Sequence, residues 1–476
     1  MKYIKLFVVS ALIAVSACTD VLDVDPRQSL TPQTAFSDVS GYTSLTFSMY
    51  ARLRDFGFYG QTMVLAPEAL ADNLLVIANT GRYVGEEVNQ DRSHINLWNL
   101  NNWSAINDAN LVIAGVDGVP GDQNTKNRLK GEAFFVRALV HFDQARVFGY
   151  EPGREVNGFN LSAILRTTPT AVFSDADLRP RSTNVQVYEQ IEADLLEAIN
   201  LLPVANRGSA NVYRANRAAA QALLARVYLY WGRNDRAIAL ATDAMSTAGI
   251  GNDGSGLLEA EGYMTGFNTF PNPESLFEIE IRQVDWSTVD GVNNSVASLA
   301  NNDLAQAQFV VSASQELINS HEPGDARLSA WRATTRSGFN GTVHASLKWR
   351  GAKGNFLENL PVLRASELLL IRAEARQKTG DTAGAYNDIN ALRSKRNLGP
   401  LTPGLTGNDL FEAILHERRV ELAFEGHRFF DLKRNGLDIR KHRGLPTVPY
   451  TDYRVLSFLP NAQILLNENL VQNPGY

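Results

Sequence analysis

A helix, a glycine turn and a second helix recur along this chain, and that recurrence limits its fold more than any other feature. In residues 216–231 the apolar side chains Ala220, Leu223, Leu224, Val227, Tyr228 and Trp231 fall at i, i+3, i+4 spacing, the stripe of an amphipathic helix. Gly232 stops it, Arg233-Asn234-Asp235 turns the chain, and residues 237–245 begin a partner helix. The unit returns with a helix at 369–377, a turn at Gly380-Asp381 and a partner at 385–392. Counted from each turn glycine, Ala225 matches Ala373, Ala237 matches Ala385, Ala241 matches Ile389 and Ala244 matches Leu392. Small residues at fixed offsets let two helix backbones approach closely, so the pattern predicts a helical repeat.

Ala237, Ala241 and Ala244 follow the small-residue pattern that resembles tetratricopeptide repeats. Residues 133–148 read as another first helix, and 185–202, ending at Pro203, as another second helix. Residues 98–112 read as one more, with Trp98, Trp103, Ile106 and Leu111 facing inward. The rhythm fails near 150–181 and again over 250–354, where Gly, Asn and aromatic residues gather. Within the second stretch Leu276-Phe277-Glu278-Ile279-Glu280-Ile281 alternates like a short strand, Lys348-Trp349-Arg350 is a second strand candidate, and 283–304 reads as loop. The expected fold is mostly α: tetratricopeptide-like helical hairpins form one scaffold, with a loop-rich irregular face and a few short strands. A length of 476 residues allows about three domains at roughly 150 each, or one repeat-built body. The reading is one domain over 31–476, with its loop-rich insertions near 150–181 and 250–354.

The N-terminus carries the only cysteine. Lys2 and Lys5 precede an apolar run at 6–17, which is shorter than the about 20 residues that cross a bilayer and fits a secretory leader. It ends in Val15-Ser16-Ala17-Cys18, which resembles a bacterial lipobox. Residues 1–17 then form a lipoprotein signal peptide, Cys18 is the lipidation site, and 18–30 are an acidic tether with Asp20, Asp23 and Asp25. Acidic residues just after the lipid cysteine resemble a surface-export signal; an ordinary solvated linker has the same composition. One cysteine excludes an internal disulfide and a thiolate metal cluster. A net charge of −6 argues against nucleic acid as the partner.

No catalytic motif stands in the sequence. His416-Glu417-Arg418-Arg419-Val420 begins like a zinc-protease helix, but Val420 takes the place of the second histidine. The seven histidines are scattered, and neither a phosphate loop nor a Gly-x-Ser-x-Gly elbow occurs. The expectation is no enzyme, no cofactor and no metal. Paired carboxylates are plentiful, so a glycosidase stays open on sequence grounds. In 412–434, Glu417, Glu421 and Glu425 recur every fourth residue along one helix face, and Gly426 would end that helix. They read either as an active-site row or as an ion-pair staple to Arg364, Arg372, Arg393 and Arg396 on neighbouring units, and the staple is the expectation. Trp98, Trp103, Tyr228, Tyr230 and Trp231 sit on helical rhythm and read as core. Tyr83, Tyr263, Phe267 and Trp286 sit in loop-like segments, where a ring either packs the loop or stacks on the C–H face of a sugar. Arg82 and Asn89 are the hydrogen-bonding candidates beside Tyr83.

Nearly end to end, the chain resembles the SusD/RagB family of Bacteroidetes outer-membrane lipoproteins. The segments that carry the likeness are Leu129-Lys130-Gly131-Glu132-Ala133-Phe134-Phe135-Val136-Arg137-Ala138 with Phe148-Gly149, and Tyr188-Glu189-Gln190-Ile191-Glu192-Ala193-Asp194-Leu195. Further on come Pro361-Val362-Leu363-Arg364-Ala365-Ser366-Glu367 with Ile371-Arg372-Ala373-Glu374-Ala375, then Glu417-Arg418-Arg419-Val420-Glu421-Leu422-Ala423-Phe424-Glu425-Gly426-His427-Arg428, and the terminal Gln472-Asn473-Pro474-Gly475-Tyr476. Phe458-Leu459-Pro460-Asn461 departs from the family's fuller Pro-Ile-Pro ending. The resemblance implies a tetratricopeptide-like fold, lipid anchoring on the outer membrane facing the exterior, and a SusC-like TonB-dependent transporter as partner. It implies binding of oligosaccharide without cleavage, through loops in the first third and the middle of the chain. Two other readings stay open beside it: a helical surface glycoside hydrolase or lyase, and a peptide-binding tetratricopeptide adaptor.

Overall fold

The computed structural model describes residues 36–476. The leader, Cys18 and the tether lie outside the described residues. Among the described residues nine long helices carry the scaffold, and polar caps set most of their starts. In α1 (Val39–Leu53) the Asp38 carboxylate accepts from the backbone of Ser40 and Gly41, and Tyr42, Thr46, Met49, Tyr50 and Leu53 are buried along one face. Asn99 caps α2 (Leu100–Gly115), and Asp122 caps α3 (Gln123–Phe148), whose 26 residues span about 39 Å at roughly 1.5 Å each. Thr183 and Gln186 form a capping box on α4 (Asn184–Leu201). Next come α5 (Arg217–Trp231) and α6 (Asn234–Ala248), then α7 (Ala365–Thr379), α8 (Thr382–Ser394) and α9 (Gly407–Glu421).

Each helix packs on the one before it, from α1 through α8, and α9 lies against α7. The repeat read from sequence is therefore physical: α5/α6 and α7/α8 are the two hairpins. Gly232 at φ 73° and Gly380 at φ 87° make their turns in the left-handed region that favours glycine. Ala225, Ala237, Ala241, Ala244, Ala373 and Ala385 are fully enclosed, as close helix contact requires. One continuous core runs from Tyr42 to Leu470. No helix among the described residues is long and apolar enough to cross a membrane.

Three short antiparallel pairs break the helical rule. They join β1 (Leu74–Val76) to β3 (Val311–Ala313), β2 (Ser275–Ile279) to β6 (Leu360–Arg364), and β4 (Trp331–Thr334) to β5 (Val343–Ser346). The alternating segment at 276–281 is thus β2, begun one residue earlier and ended two residues sooner. Lys348-Trp349-Arg350 is not a strand. There the chain bends, and the side chains of Lys348 and Trp349 donate to the backbone carbonyls of Glu421, Ala423 and Phe424. Residues 283–304, expected as loop, hold two short helices, Thr288–Asn294 and Val296–Ala300, started by Ser287 and Ser295. Their Gly and Asn content hid them. The helix expected from Trp98 starts at Leu100, because Asn99 takes the cap.

The carboxylate row is the staple. The α9 helix ends at Glu421 rather than at Gly426, and Phe424 turns the chain at φ 61°. Glu425 nonetheless faces the same cluster. Glu421 accepts from Arg396 at 2.9 Å and Arg364 at 3.2 Å, and Glu425 from Arg364 at 2.6 Å and Lys348 at 2.7 Å. Glu417 pairs with Arg393 at 3.1 Å, and Glu274 from β2's leading turn joins Arg364 at 2.9 Å. Of the four arginines expected there, Arg372 goes elsewhere, to Asp388 at 2.6 Å. Burial pushes the Glu421 carboxyl up, but the guanidiniums of Arg396 and Arg364 override it and hold the group well below the usual carboxylate range.

Candidate functional site

A groove of about 680 Å³ opens among the segments between α1 and the start of α2. Its first wall follows directly from the end of α1. The Asp55 carbonyl accepts from Phe58 and Gly60, and its carboxylate accepts from the Gly57 amide at 2.8 Å, which coils residues 55–60 tightly. The second wall is residues 81–86, where Tyr83 at φ 59° starts a short helix at Val84–Glu87. The third is the run 94–101, with His94, Asn96, Asn99 and Asn101.

Hydrogen bonds lock these walls to the middle of the chain. The Tyr83 hydroxyl donates to Gln61 Oε1 at 3.0 Å, and Gln61 Nε2 donates to the Asn294 carbonyl at 2.6 Å. Arg82 Nη1 donates to Gln308 Oε1 at 2.7 Å, and Gln308 Nε2 donates to Asn293 Oδ1 at 2.8 Å. Arg54 pairs with Asp285 at 2.9 Å, and the ring of Trp286 packs on Phe56 with centroids 4.4 Å apart. First-third and middle loops therefore form one rigid rim.

The groove presents carboxamides, one guanidinium and two carboxyls. Arg82 is half-buried and has no ion-pair partner among the described residues. Burial raises the Glu86 carboxyl above its ordinary value. Burial, with help from Lys433, pulls His94 down to about 3, so this imidazole is neutral at physiological pH. Its Nδ1 accepts from the Ile95 amide at 2.8 Å, which places the proton on Nε2. Such a lining of neutral donors and acceptors around one fixed cation suits a ligand rich in hydroxyl groups.

Of the six binding candidates, Arg82 and Tyr83 line this groove, and Trp286 supports its rim while itself buried. Asn89 does not face it: the side chain is enclosed and donates to the Leu70 carbonyl at 3.3 Å. Tyr263 and Phe267 lie elsewhere, and the exposure expected of a sugar-stacking ring is absent, at 1% and 6%. They roof the ionic staple instead. Arg396 sits 4.8 Å from the Tyr263 ring centroid, and Lys348 4.9 Å from that of Phe267. Sequence reasoning missed Asp55, Gln61, Asn96, Asn99 and Asn101. The density of asparagine at 96–102 was the available signal.

The chain matches two family profiles: "SusD family" over residues 346–476, and "Starch-binding associating with outer membrane", a SusD-like profile, over residues 22–229. It is 26% identical to SusD-like protein P2 of Formosa agariphila over the whole of both chains. The crystal structure of a SusD superfamily protein from Bacteroides vulgatus superposes with TM-score 0.78 at 29% identity, covering 93% of this chain and 100% of that one. A laminarin binding SusD-like protein superposes with TM-score 0.73 at 25% identity, again over 93% and 100%. Two profiles that bracket the α1–α9 scaffold, relatives aligned over the full length and the same helical-hairpin architecture in solved members lead to one assignment: the chain belongs to the SusD/RagB family.

Proposed function

We propose that this protein captures oligosaccharide at the outer membrane without cleaving it and passes it to a SusC-like TonB-dependent transporter. The observation that carries the reading is the polar groove itself. Arg82, Asn96 and Asn101 offer hydroxyl-matching groups on a rim that hydrogen bonds to Gln308 and Asn294 make rigid. A rigid rim lowers the ordering cost of binding a flexible chain. Family membership supports the same reading, since a relative of this fold binds laminarin. Lipid on Cys18 would hold the body at the membrane surface.

A glycan array probed with the Cys18→Ala protein tests capture, and the expected result is retention of one glycan class with no new reducing ends on prolonged incubation. In cells, the same substitution is expected to move the protein from the membrane fraction to the soluble fraction with its melting temperature unchanged. Co-purification with an outer-membrane transporter after detergent extraction tests the partner. One observation favours glycoside hydrolysis as a second reading: Asp55 and Glu86 line the same groove, and burial raises Glu86 as a general acid requires. Sustained release of reducing ends, abolished by Glu86→Gln, would establish that reading in place of the first.

A further inference from the structure

A second groove lies on the other side of the Asn99 cap. Its volume is also about 680 Å³, and Leu100 lines both. Trp103 is half-buried in its lining, held edge-to-face by Trp98 at 5.2 Å, which in turn packs edge-on to Phe148 at 5.3 Å. The Arg166 guanidinium lies 5.7 Å from the Trp103 ring centroid. The ring is thus fixed in place from the core outward. Phe173, from the 150–181 insertion, and Leu466, near the C-terminus, complete the apolar lining.

This lining is unusually exposed. Leu100 is 80% exposed, Phe173 64% and Leu466 70%. Val172 and Leu465, next to them in sequence, are exposed as well. Apolar side chains gathered at one surface mark a site that is covered in use. The asparagines of this groove are spoken for. Asn107 exchanges bonds with the Thr170 backbone at 2.7 and 3.2 Å, and Asn110 holds the carbonyls of Arg166 and Thr168 at 3.1 Å. They position the loop that carries Phe173. What faces outward is mostly ring and aliphatic surface, with Ser104, Gln463, the half-buried Arg166 and the exposed Asp175 at its polar edges.

We propose that this groove is the second arm of the glycan site and takes the continuation of the chain bound beside Arg82. The inference rests on the glycan reading of the polar groove. A pyranose presents an apolar C–H face and a rim of hydroxyls. The Trp103 and Phe173 rings match the face, and Ser104 and Gln463 match the rim. Leu100 lines both grooves, so they adjoin across its side chain, and one saccharide chain passing over it would have its hydroxyl-bound end at Arg82 and its stacked end at Trp103.

The test uses the Cys18→Ala full chain against laminari-, malto-, xylo- and fructo-oligosaccharide ladders, from disaccharide to decasaccharide, by calorimetry. The expected result is affinity on one ladder that climbs with length. Trp103→Ala and Phe173→Ser each lose about tenfold on the longest member, and the loss shrinks as units are removed. Arg82→Ala loses affinity at every length. Phe173 is largely exposed, so Phe173→Ser keeps its fold, and thermal melting checks this. If both ring variants bind the long members as wild type does while Arg82→Ala is weakened, the second arm is overturned and the polar groove stands. If no ladder binds, the glycan reading fails and the arm with it. If wild type self-associates on size exclusion and Phe173→Ser does not, a second copy fills the groove, and the arm is again overturned.

Discussion

Arg82 enters the groove with its guanidinium fixed to Gln308 and, among the described residues, in no ion pair. A charged donor held in position is worth more to a ligand than a mobile one, because its ordering cost is already met by the fold. Hydrogen bonds to charged groups contribute about 1.5–3 kcal/mol. Arg82→Ala is therefore expected to weaken glycan binding roughly 10- to 100-fold, measured by calorimetry, with little change in melting temperature. Arg82→Lys is expected to recover only part of this, since an ammonium lacks the planar fork. The structure places Arg82 and Tyr83, two of the candidates read from sequence, at one groove and turns Asn89 away from it. Within one short loop the side chain of residue 89 turns inward at φ 47°, a backbone choice that composition does not encode. The same limit applies to Tyr263 and Phe267. Their loop-like context left loop packing and sugar stacking open, and only the fold reveals the arginines and the lysine stacked against them.

At the scale of the element, α9 and the turn after it hold the most tightly specified structure in the chain. Gly426 sits at φ 80°, and a Cβ there would lie 1.8 Å from the Met63 carbonyl oxygen. Neither the backbone conformation nor the space admits a side chain. Gly426→Ala is expected to destabilise by about 3 kcal/mol or more, read from urea unfolding. Glu421 is the hub of the staple, so Glu421→Gln leaves Arg364 and Arg396 buried beside one charge fewer. Breaking a buried pair costs about 3–5 kcal/mol, and a comparable fall in unfolding free energy is expected. The spacing of Glu417, Glu421 and Glu425 makes this element legible in the sequence. Where the helix stops was not legible, because Phe424 rather than Gly426 makes the first left-handed turn. A phenylalanine carries no signal for that role, and tertiary contact imposes it.

Across the whole molecule the helical stack was readable because its signal repeats, whereas the groove was not, because its irregular lining within 55–101 is held in place by partners more than two hundred residues away. Gln61 and Asn294 meet through one hydrogen bond, and no local pattern announces that meeting. The buried carboxyls show a further property that belongs to the molecule rather than to one element. Glu367 is held down at about 2: burial opposes its charge, but Arg226 overrides it. Glu68, Glu278 and Glu358 have no such cation in contact, and burial raises each from 4.5 to about 7. The two classes act on stability with opposite signs. A depressed carboxyl contributes stability above its unfolded value, which is lost as pH falls through about 4.5 toward 2. A raised carboxyl binds its proton more tightly in the folded state, so its contribution is complete below about 4.5 and is lost as pH rises toward 7. Between pH 5 and pH 8 the histidines oppose the raised carboxyls: desolvation pulls all seven down, so the unfolded chain binds their protons and stability rises with pH through about 6.5. The carboxyl contribution is therefore read as a difference between variants. Glu358 accepts only the amides of Ala297 and Gly351, so Glu358→Gln removes one of the three raised groups, and its urea midpoint relative to wild type should climb from pH 5 to pH 8. A gap between the two proteins that stays constant over this range would show that the Glu358 carboxyl stays ionised in the folded chain.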